Sequence, residues 1–222
     1  MTNVITREPT NSNSNVVTTN NEVRVNIRTM TRSEHDCKFV AELKVEAKKA
    51  EYIHATSAGS ISTIKRITER NHEEQDEWFY ERNFIAEYNG DPVGILTLSF
   101  PEDPIPVKSD YEMEFGCTDL CGLSCLNSGL DETVEEGTLY INYIYVIEKY
   151  RNKGIEEHLL QMAEKEALKN DISVIFIYVA FRNISKNLYL EQGYTIVKTE
   201  CCCVWCSMGI CGFYKMEKSL VV

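Results

Sequence analysis

The segment from Ile172 to Ala180 constrains the fold of this chain more than any other. It is almost continuously apolar, with the run Val-Ile-Phe-Ile-Tyr-Val-Ala at its end. A strand with one face in water alternates apolar and polar residues, whereas a strand covered on both faces is apolar throughout. The segment therefore predicts a central strand in a sheet that carries helices on both faces.

The remaining elements follow from apolar periodicity and turn residues, and their order is βααββ, insertion, βαβαββ. Predicted strands are Val23–Ile27, Phe84–Tyr88, Val93–Phe100, Leu139–Val146, Ile172–Ala180, Tyr194–Thr199 and Phe213–Lys218; predicted helices are Glu34–Tyr52, Ser60–Tyr80, Gly154–Asn170 and Ile184–Glu191. This order predicts one α/β domain over residues 23–222, preceded by a polar, disordered tail at residues 1–22.

Charge is concentrated in an acidic, cysteine-containing insertion at about residues 101–137. The net charge is −11, and phosphate-rich partners need Lys and Arg, so nucleic acid and anionic membrane surfaces are excluded as main partners. A cationic partner fits better.

The N-terminal segment lacks the apolar stretch of a secretory signal, and no apolar run approaches the roughly 20 residues of a membrane span, which predicts a cytoplasmic protein.

A strand, a short basic turn and a helix follow each other between Tyr145 and Ile155. A helix start offers free backbone N–H groups and the positive end of the helix dipole, and both suit a phosphate. Lys149, Arg151 and Lys153 add positive charge. The alternative is an ordinary strand-to-helix turn with solvent-exposed bases.

Two motifs in this region resemble those of the GNAT acyltransferases. The family's pyrophosphate loop reads Arg/Gln-x-x-Gly-x-Gly/Ala after a strand with Leu-x-Val; this chain has Ile144-x-Val146 followed by Arg151-x-x-Gly154-x-Glu156. The family's second motif, Asn-x-x-Ala-x-x-Leu-Tyr-x-x-x-Gly-Phe, is similar to the segment from Ser185 to Tyr194. The resemblance implies a GNAT-like mixed, mostly antiparallel sheet with a central splayed parallel pair.

The resemblance also implies an N-acetyltransferase that uses acetyl-CoA as co-substrate. Tyr189 would protonate the leaving thiolate, although a tyrosine here is also compatible with a packing role. The cofactor-binding positions implied by the resemblance are Ile144, Tyr145, Val146, Arg151, Asn152, Lys153, Gly154, Ile155, Glu156, Asn183 and Lys186.

Two departures from the family pattern bear on cofactor binding. Glu156 stands where the family has Gly or Ala, and its carboxylate would crowd and repel the pyrophosphate; a carboxylate in a first helical turn also suits the helix dipole. The motif asparagine is displaced, with Arg182 at the aligned position and Asn183 one residue later.

A general base is not visible in the strand Leu139–Val146, which contains no acid. An amine must lose a proton before it attacks, so some acceptor is needed. A water chain past Asn142 or Tyr143 is one alternative. Carboxylates of the insertion are the other, and the candidates are Glu112, Glu114, Glu135 and Glu136.

The nine cysteines include two clusters, at 117–125 and at 201–211. Cys203-x-x-Cys206 has the spacing of a zinc ligand pair, but no second such pair is present, and reduced thiols are the expectation in a cytoplasmic chain. No metal ligand is assigned. We expect both clusters to lie beside the acceptor entrance, because the strand from Tyr194 is expected to run antiparallel to the one ending at Ala180.

Two functions remain open from the sequence. The first is acetyl transfer to a primary amine, on a cationic small molecule or on a protein lysine or N-terminus. The second is a catalytically silent GNAT-like module that binds a ligand or partner through its cysteine-rich loops. Glu156 favours the silent module and Tyr189 favours the enzyme.

Overall fold

One seven-stranded sheet organises the structure, a computed structural model that describes residues 25–57, 60–104, 114–127, 133–201 and 211–220. The strands are β1 (Val25–Thr29), β2 (Asn83–Tyr88), β3 (Asp91–Ser99), β4 (Thr138–Val146), β5 (Val174–Ala180), β6 (Thr195–Glu200) and β7 (Phe213–Ser219). Their spatial order is β1-β2-β3-β4-β5-β7-β6, and only β4 and β5 are parallel neighbours. The predicted fold class is confirmed, while the predicted tail at residues 1–22 lies outside the described residues.

The helices of the described residues are more numerous than the sequence predicts. They are α1 (Glu34–Ala47), α2 (Lys49–Ala55), α3 (Ser60–Glu73), α4 (Glu77–Glu81), α5 (Cys117–Asn127), α6 (Ile155–Lys169) and α7 (Lys186–Glu191). The predicted first helix is divided at Lys48, whose φ of −108° and ψ of 19° depart from helical geometry. The predicted second helix is divided between α3 and α4, and α5 was not predicted.

Helices cover both faces of the sheet, as the sequence predicted. On one face, which we call the α1 face, Val40 of α1 and Phe79 of α4 pack with Ile85 and Ile95 of the sheet. On the other face, Leu159 of α6 belongs to the larger core that also contains residues of β2 to β5, α7 and β7. The sheet therefore lies between two apolar layers.

The parallel pair β4–β5 is joined over only three positions: Thr138 with Val174, Leu139 with Ile175, and Tyr140 with Phe176. Beyond these positions, β4 continues to Val146 with β3 as its partner and β5 continues to Ala180 with β7 as its partner. The two strands thus separate towards their carboxyl ends. We call the gap the cleft, and the edge of the sheet formed by Val146 and Ala180 the open end.

A bulge accompanies this separation. Thr97 pairs with Tyr143 and Leu98 pairs with Ile141, which leaves Asn142 as an extra residue in β4. A bulge changes which face the following side chains occupy. Tyr143 therefore joins the apolar cluster on the α1 face.

The order of the last strands corrects the expectation that the two cysteine clusters lie side by side. β7 lies between β5 and β6, and it is antiparallel to both, so β6 runs parallel to β5. The β6–β7 connection leaves the sheet at the open end, since Glu200 pairs with Phe213 and Phe213 pairs with Ala180. The insertion leaves and rejoins the sheet at the other end, beside Ser99 and Thr138.

Helix α5 anchors the insertion to the α2–α3 junction. Asp119 is buried and accepts hydrogen bonds from the Ser57 N–H (3.0 Å), the Ser57 hydroxyl (2.9 Å) and the Ser60 hydroxyl (2.5 Å). These bonds lower the pKa of Asp119, the Ser60 hydroxyl being the largest cause. At Gly122, a Cβ atom would lie 1.7 Å from the Ala55 carbonyl oxygen, so only glycine permits this approach.

Among the described residues, no helix is both long and apolar enough to cross a membrane.

Candidate active site

The turn between β4 and α6 lies at the open end of the sheet. After a short 3-10 turn at Glu148–Tyr150, Asn152 and Gly154 adopt positive φ angles of 58° and 75°. Gly154 is the N-cap residue of α6 and makes no side-chain cap bond to the N–H groups of the first turn, although the Glu156 carboxyl interacts with its own backbone N–H. These donors and the helix dipole together form a geometry that suits a phosphate.

Cationic side chains surround this turn. The Arg151 Nε donates to the Val146 carbonyl oxygen at 3.2 Å, and its guanidinium lies over the Tyr145 ring. Lys153 is exposed, with its Nζ 4.7 Å from the centroid of the Tyr88 ring. The structure thus brings the predicted residues of β4 and of the loop together at one end of the cleft.

Glu156 is half-buried in the first turn of α6. Burial is the largest cause that raises the pKa of its carboxyl group; Glu157 raises it further, while its own backbone N–H and Arg151 lower it. Its charge also raises the pKa of Tyr189. The Glu156 carboxyl group therefore acts electrostatically on Tyr189 as well as on the turn.

Tyr189 is buried in α7, with only 5% of its surface exposed. Its ring meets the Tyr194 ring edge-on at a centroid distance of 6.0 Å. Burial, followed by the charge of Glu156, raises the pKa of Tyr189 above its usual range, so its hydroxyl is a weaker acid than that of an exposed tyrosine.

Asn183 and Lys186 follow the end of β5. The Asn183 Oδ1 accepts from the Ser185 N–H at 2.8 Å, which organises the turn into α7 and uses the side chain locally. Lys186 lies with its Nζ 5.1 Å from the centroid of the Tyr214 ring. Both residues are at the open end, on the far side of the cleft from the turn.

Aromatic residues form the α1 face of the cleft, and of these the sequence analysis had singled out only Tyr143. Tyr140 and Phe176, the last pair of the parallel ladder, stack at 4.8 Å, and Tyr178 contacts both rings edge-on. Above them, Tyr143 lies under two ammonium groups of α1, at 5.4 Å for the Lys44 Nζ and 4.7 Å for the Lys48 Nζ.

A sequence signal for Lys44 existed. Helical spacing places it in line with Cys37, Val40 and Ala41, which are all buried. A lysine inside the apolar stripe of a helix is unusual, since lysine is almost never fully buried unless it is paired.

The proposed general bases are not brought to the cleft. Glu112 lies outside the described residues. Glu114 forms ion pairs with Arg66 and Arg70 of α3. Glu135 and Glu136 are exposed beside Thr138, at the end of β4 opposite the cleft.

Cys117, Cys121 and Cys201 are free, exposed thiols, and Cys211 is a half-buried one. Within the ranges that the structure describes, no three His, Cys, Asp or Glu side chains converge as a metal site would require. Cys203 and Cys206 lie outside those ranges.

Comparison with known proteins gives consistent results. The family model described as "Acetyltransferase (GNAT) family" matches residues 54–194. No protein of curated function matches the chain in sequence.

Solved structures show the same fold at low identity. The PaiA N-acetyltransferase of Thermoplasma acidophilum in complex with coenzyme A is 17% identical, with a TM-score of 0.56 over 89% of this chain and 99% of its own. Ard1 from Thermoplasma volcanium is 13% identical, with a TM-score of 0.54 over 89% and 99%. An acetyltransferase that is 19% identical gives 0.54 over 88% and 100%. The family match covers more than half of the chain and includes β4, the turn and Tyr189, so the protein belongs to the GNAT acetyltransferase family and is an acyltransferase.

Proposed function

We propose that this acyltransferase moves the acetyl group of acetyl-CoA to a primary amine. The observation that carries the proposal is the combination of a parallel pair that separates after three positions with a helix that starts after Gly154 at the open end of the gap. The first offers an extended, hydrogen-bonding slot and the second offers an anion site next to it.

The residues present fit acetyl-CoA, whose acetyl thioester supplies the activated acyl group. Beyond Tyr140, one edge of β4 is free of β5, so backbone groups around Ile144 to Val146 can bond an extended amide chain in the cleft. The N–H groups of the turn and of the first helical residues, from Arg151 to Glu156, would hold the pyrophosphate, and Lys153 adds charge. Glu156 opposes this binding when it is ionised.

Tyr189 has the properties of a proton donor. Its hydroxyl is protonated at neutral pH, as that of an ordinary tyrosine is, and α7 begins at the open end of β5. Burial raises the pKa of Tyr189, which makes it a weaker acid in the free protein. It would donate its proton to the sulfur that leaves when the amine attacks the acyl carbon.

Isothermal titration calorimetry with CoA tests the anion site. We expect binding that weakens as salt is added, because the site acts through charge and backbone donors. Absence of binding at millimolar CoA would refute both the site and the proposed reaction.

Replacing Tyr189 tests the proton donor. We expect Tyr189→Phe to lower kcat while the KM for acetyl-CoA stays nearly constant, because the lost interaction is made only late in the reaction. The matched control is Tyr194→Phe, which removes the hydroxyl of the ring packed against Tyr189. Full activity of the Tyr189 variant, or an equal loss in both variants, would assign Tyr189 a packing role.

A second function, a silent ligand- or partner-binding module, is favoured by Glu156, whose half-buried carboxyl group stands in the anion site. It predicts CoA binding that is absent or unproductive with every amine. The acceptor remains a small molecule or a protein lysine or N-terminus in the proposed reaction. The carboxylate of Glu114, a general-base candidate from the sequence, is instead paired with Arg66 and Arg70.

A further inference from the structure

The α1 face of the cleft contains a buried cation, Lys44, for which the described part of the chain supplies no counter-ion. We propose that the acceptor amine also carries a carboxylate, and that Lys44 and Lys48 bind this carboxylate over Tyr143. The inference rests on the proposed acetyl transfer and adds the acceptor's chemical class.

Lys44 is the main observation. Only 7% of its surface is exposed, and among the described residues no carboxylate lies within ion-pair distance of its Nζ. Its ammonium group instead lies over two aromatic rings, 4.9 Å from the Phe79 centroid and 5.4 Å from that of Tyr143. A buried charge is costly unless it is paired, so an anion is the group that this environment lacks.

Lys48 makes the location a two-cation site. It follows Lys44 by four residues at the end of α1, and its Nζ lies 4.7 Å from the centroid of the same Tyr143 ring. Two ammonium groups over one ring provide the donors that a carboxylate can bridge.

The site lies beside the point where β4 and β5 begin to separate. Tyr143 is the first residue after the Asn142 bulge, three positions beyond Tyr140, where the pairing of β4 with β5 stops. An amine bound where the two strands begin to separate would therefore have Lys44 and Lys48 on its α1 side. A carboxylate on the same molecule can reach them.

Charged neighbours on α1, α2 and α3 set the electrostatic environment of Lys44 and Lys48. Burial lowers the pKa of Lys44 to about 7, and the second cause is the charge of Lys48. Lys44 in turn helps to lower the pKa of His72 on α3, after burial as the larger cause. Glu51 on α2 also interacts with Lys48; burial raises the pKa of Glu51, and its own backbone N–H and Lys48 lower it. A bound carboxylate would favour the protonated form of Lys44, so acceptor binding should take up protons and weaken above neutral pH.

Matched acceptor pairs test the inference, with release of CoA as the readout at saturating acetyl-CoA. The pairs are tyrosine with tyramine, histidine with histamine, and lysine with cadaverine, together with β-alanine and γ-aminobutyrate as longer amino acids. We expect kcat/KM to be at least about ten-fold higher for some amino acid than for its decarboxylated partner, as one hydrogen-bonded charge pair can provide.

Lys44→Met is the diagnostic variant. It should raise the KM for the preferred amino acid about ten- to hundred-fold while the KM for acetyl-CoA is unchanged. It should also raise the melting temperature, because an unpaired buried amine is replaced by an apolar side chain of similar length. Lys48→Met should also raise the KM for the preferred amino acid. Because it leaves the buried Lys44 side chain in place, this effect would not depend on a structural change at Lys44. Lys38→Met, on the exposed side of α1, is the control and should change none of these values.

Three results would overturn the inference: decarboxylated amines preferred throughout, no amino acid acetylated by a protein that acetylates other amines, or equal losses for acidic and non-acidic acceptors in Lys44→Met. Failure of the proposed reaction itself looks different. In that case, calorimetry shows no CoA binding, or no amine of any class releases CoA.

Discussion

Replacement of Tyr194 by phenylalanine should make this protein more stable. The Tyr194 side chain is 1% exposed, and its hydroxyl has no hydrogen-bond partner among the described residues. Burial, followed by the charges of Glu164 and Tyr189, raises its pKa, so the hydroxyl remains neutral and its cost is that of an unsatisfied polar group. Such a group costs about 1–3 kcal/mol, and Tyr194→Phe should recover about 1 kcal/mol of it.

A second tyrosine provides the opposite case. Tyr80 is also buried, at 3% exposure, but its hydroxyl donates to the His72 carbonyl oxygen at 2.7 Å. Tyr80→Phe leaves that carbonyl unpaired and should cost about 1–2 kcal/mol. The same chemical change should therefore move stability in opposite directions, with a difference of about 2–3 kcal/mol between the variants.

Urea unfolding of the wild type and both variants measures this difference directly. The slope of free energy against urea should stay constant, so the midpoints report stability alone. For a domain of this size, 1 kcal/mol corresponds to about 2–4 °C in melting temperature. If Tyr194→Phe destabilises the protein as much as Tyr80→Phe, the hydroxyl of Tyr194 has a bonded partner, such as a buried water, and the reasoning is refuted.

Two further perturbations address the anion site and the insertion. Because the pKa of Glu156 is raised, protonation of this carboxyl favours the folded state, and that contribution is lost as pH rises through the raised pKa. The affinity for CoA should fall over the same rise in pH in the wild type and should not depend on Glu156 ionisation in Glu156→Gln. If calorimetry shows no change of wild-type affinity with pH, the carboxylate does not act on the phosphates. Gly122→Ala should displace α5 from the Ala55 carbonyl oxygen, lower stability by about 1–3 kcal/mol and expose the insertion to protease, whereas Gly116→Ala, where a Cβ meets nothing within 4 Å, should do neither. Equal behaviour of the two alanine variants would contradict the close approach.

The sequence predicted the parts of this fold that depend on local pattern. The apolar run of β5 predicted a central strand, and the predicted strands Phe84–Tyr88 and Val93–Phe100 are joined by Asn89 and Gly90, both with positive φ. Arg151 and Gly154 likewise occupy the turn that their spacing indicated.

The errors concern non-local order. Nothing between Tyr194 and Lys218 shows that β7, rather than β6, pairs with β5, because both final strands have similar composition and a hairpin can join the sheet by either strand. The cationic character of the α1 face was also missed. Lys44 is distinguished only by its position in the apolar stripe of α1, and Tyr143 reaches that face only because of the bulge at Asn142.

The short ladder between β4 and β5 also has a mechanical consequence. The sheet is two half-sheets, one of four strands ending at β4 and one of three strands beginning at β5, and just three register positions connect them. What holds the halves together is α6, which follows the first half in the chain, precedes the second, and buries Leu159, Leu160 and Ala163 in a core shared by both. The cleft can therefore stay open without dividing the molecule into separately unfolding units, because side chains of α6 pack against both half-sheets where backbone hydrogen bonds between them are missing.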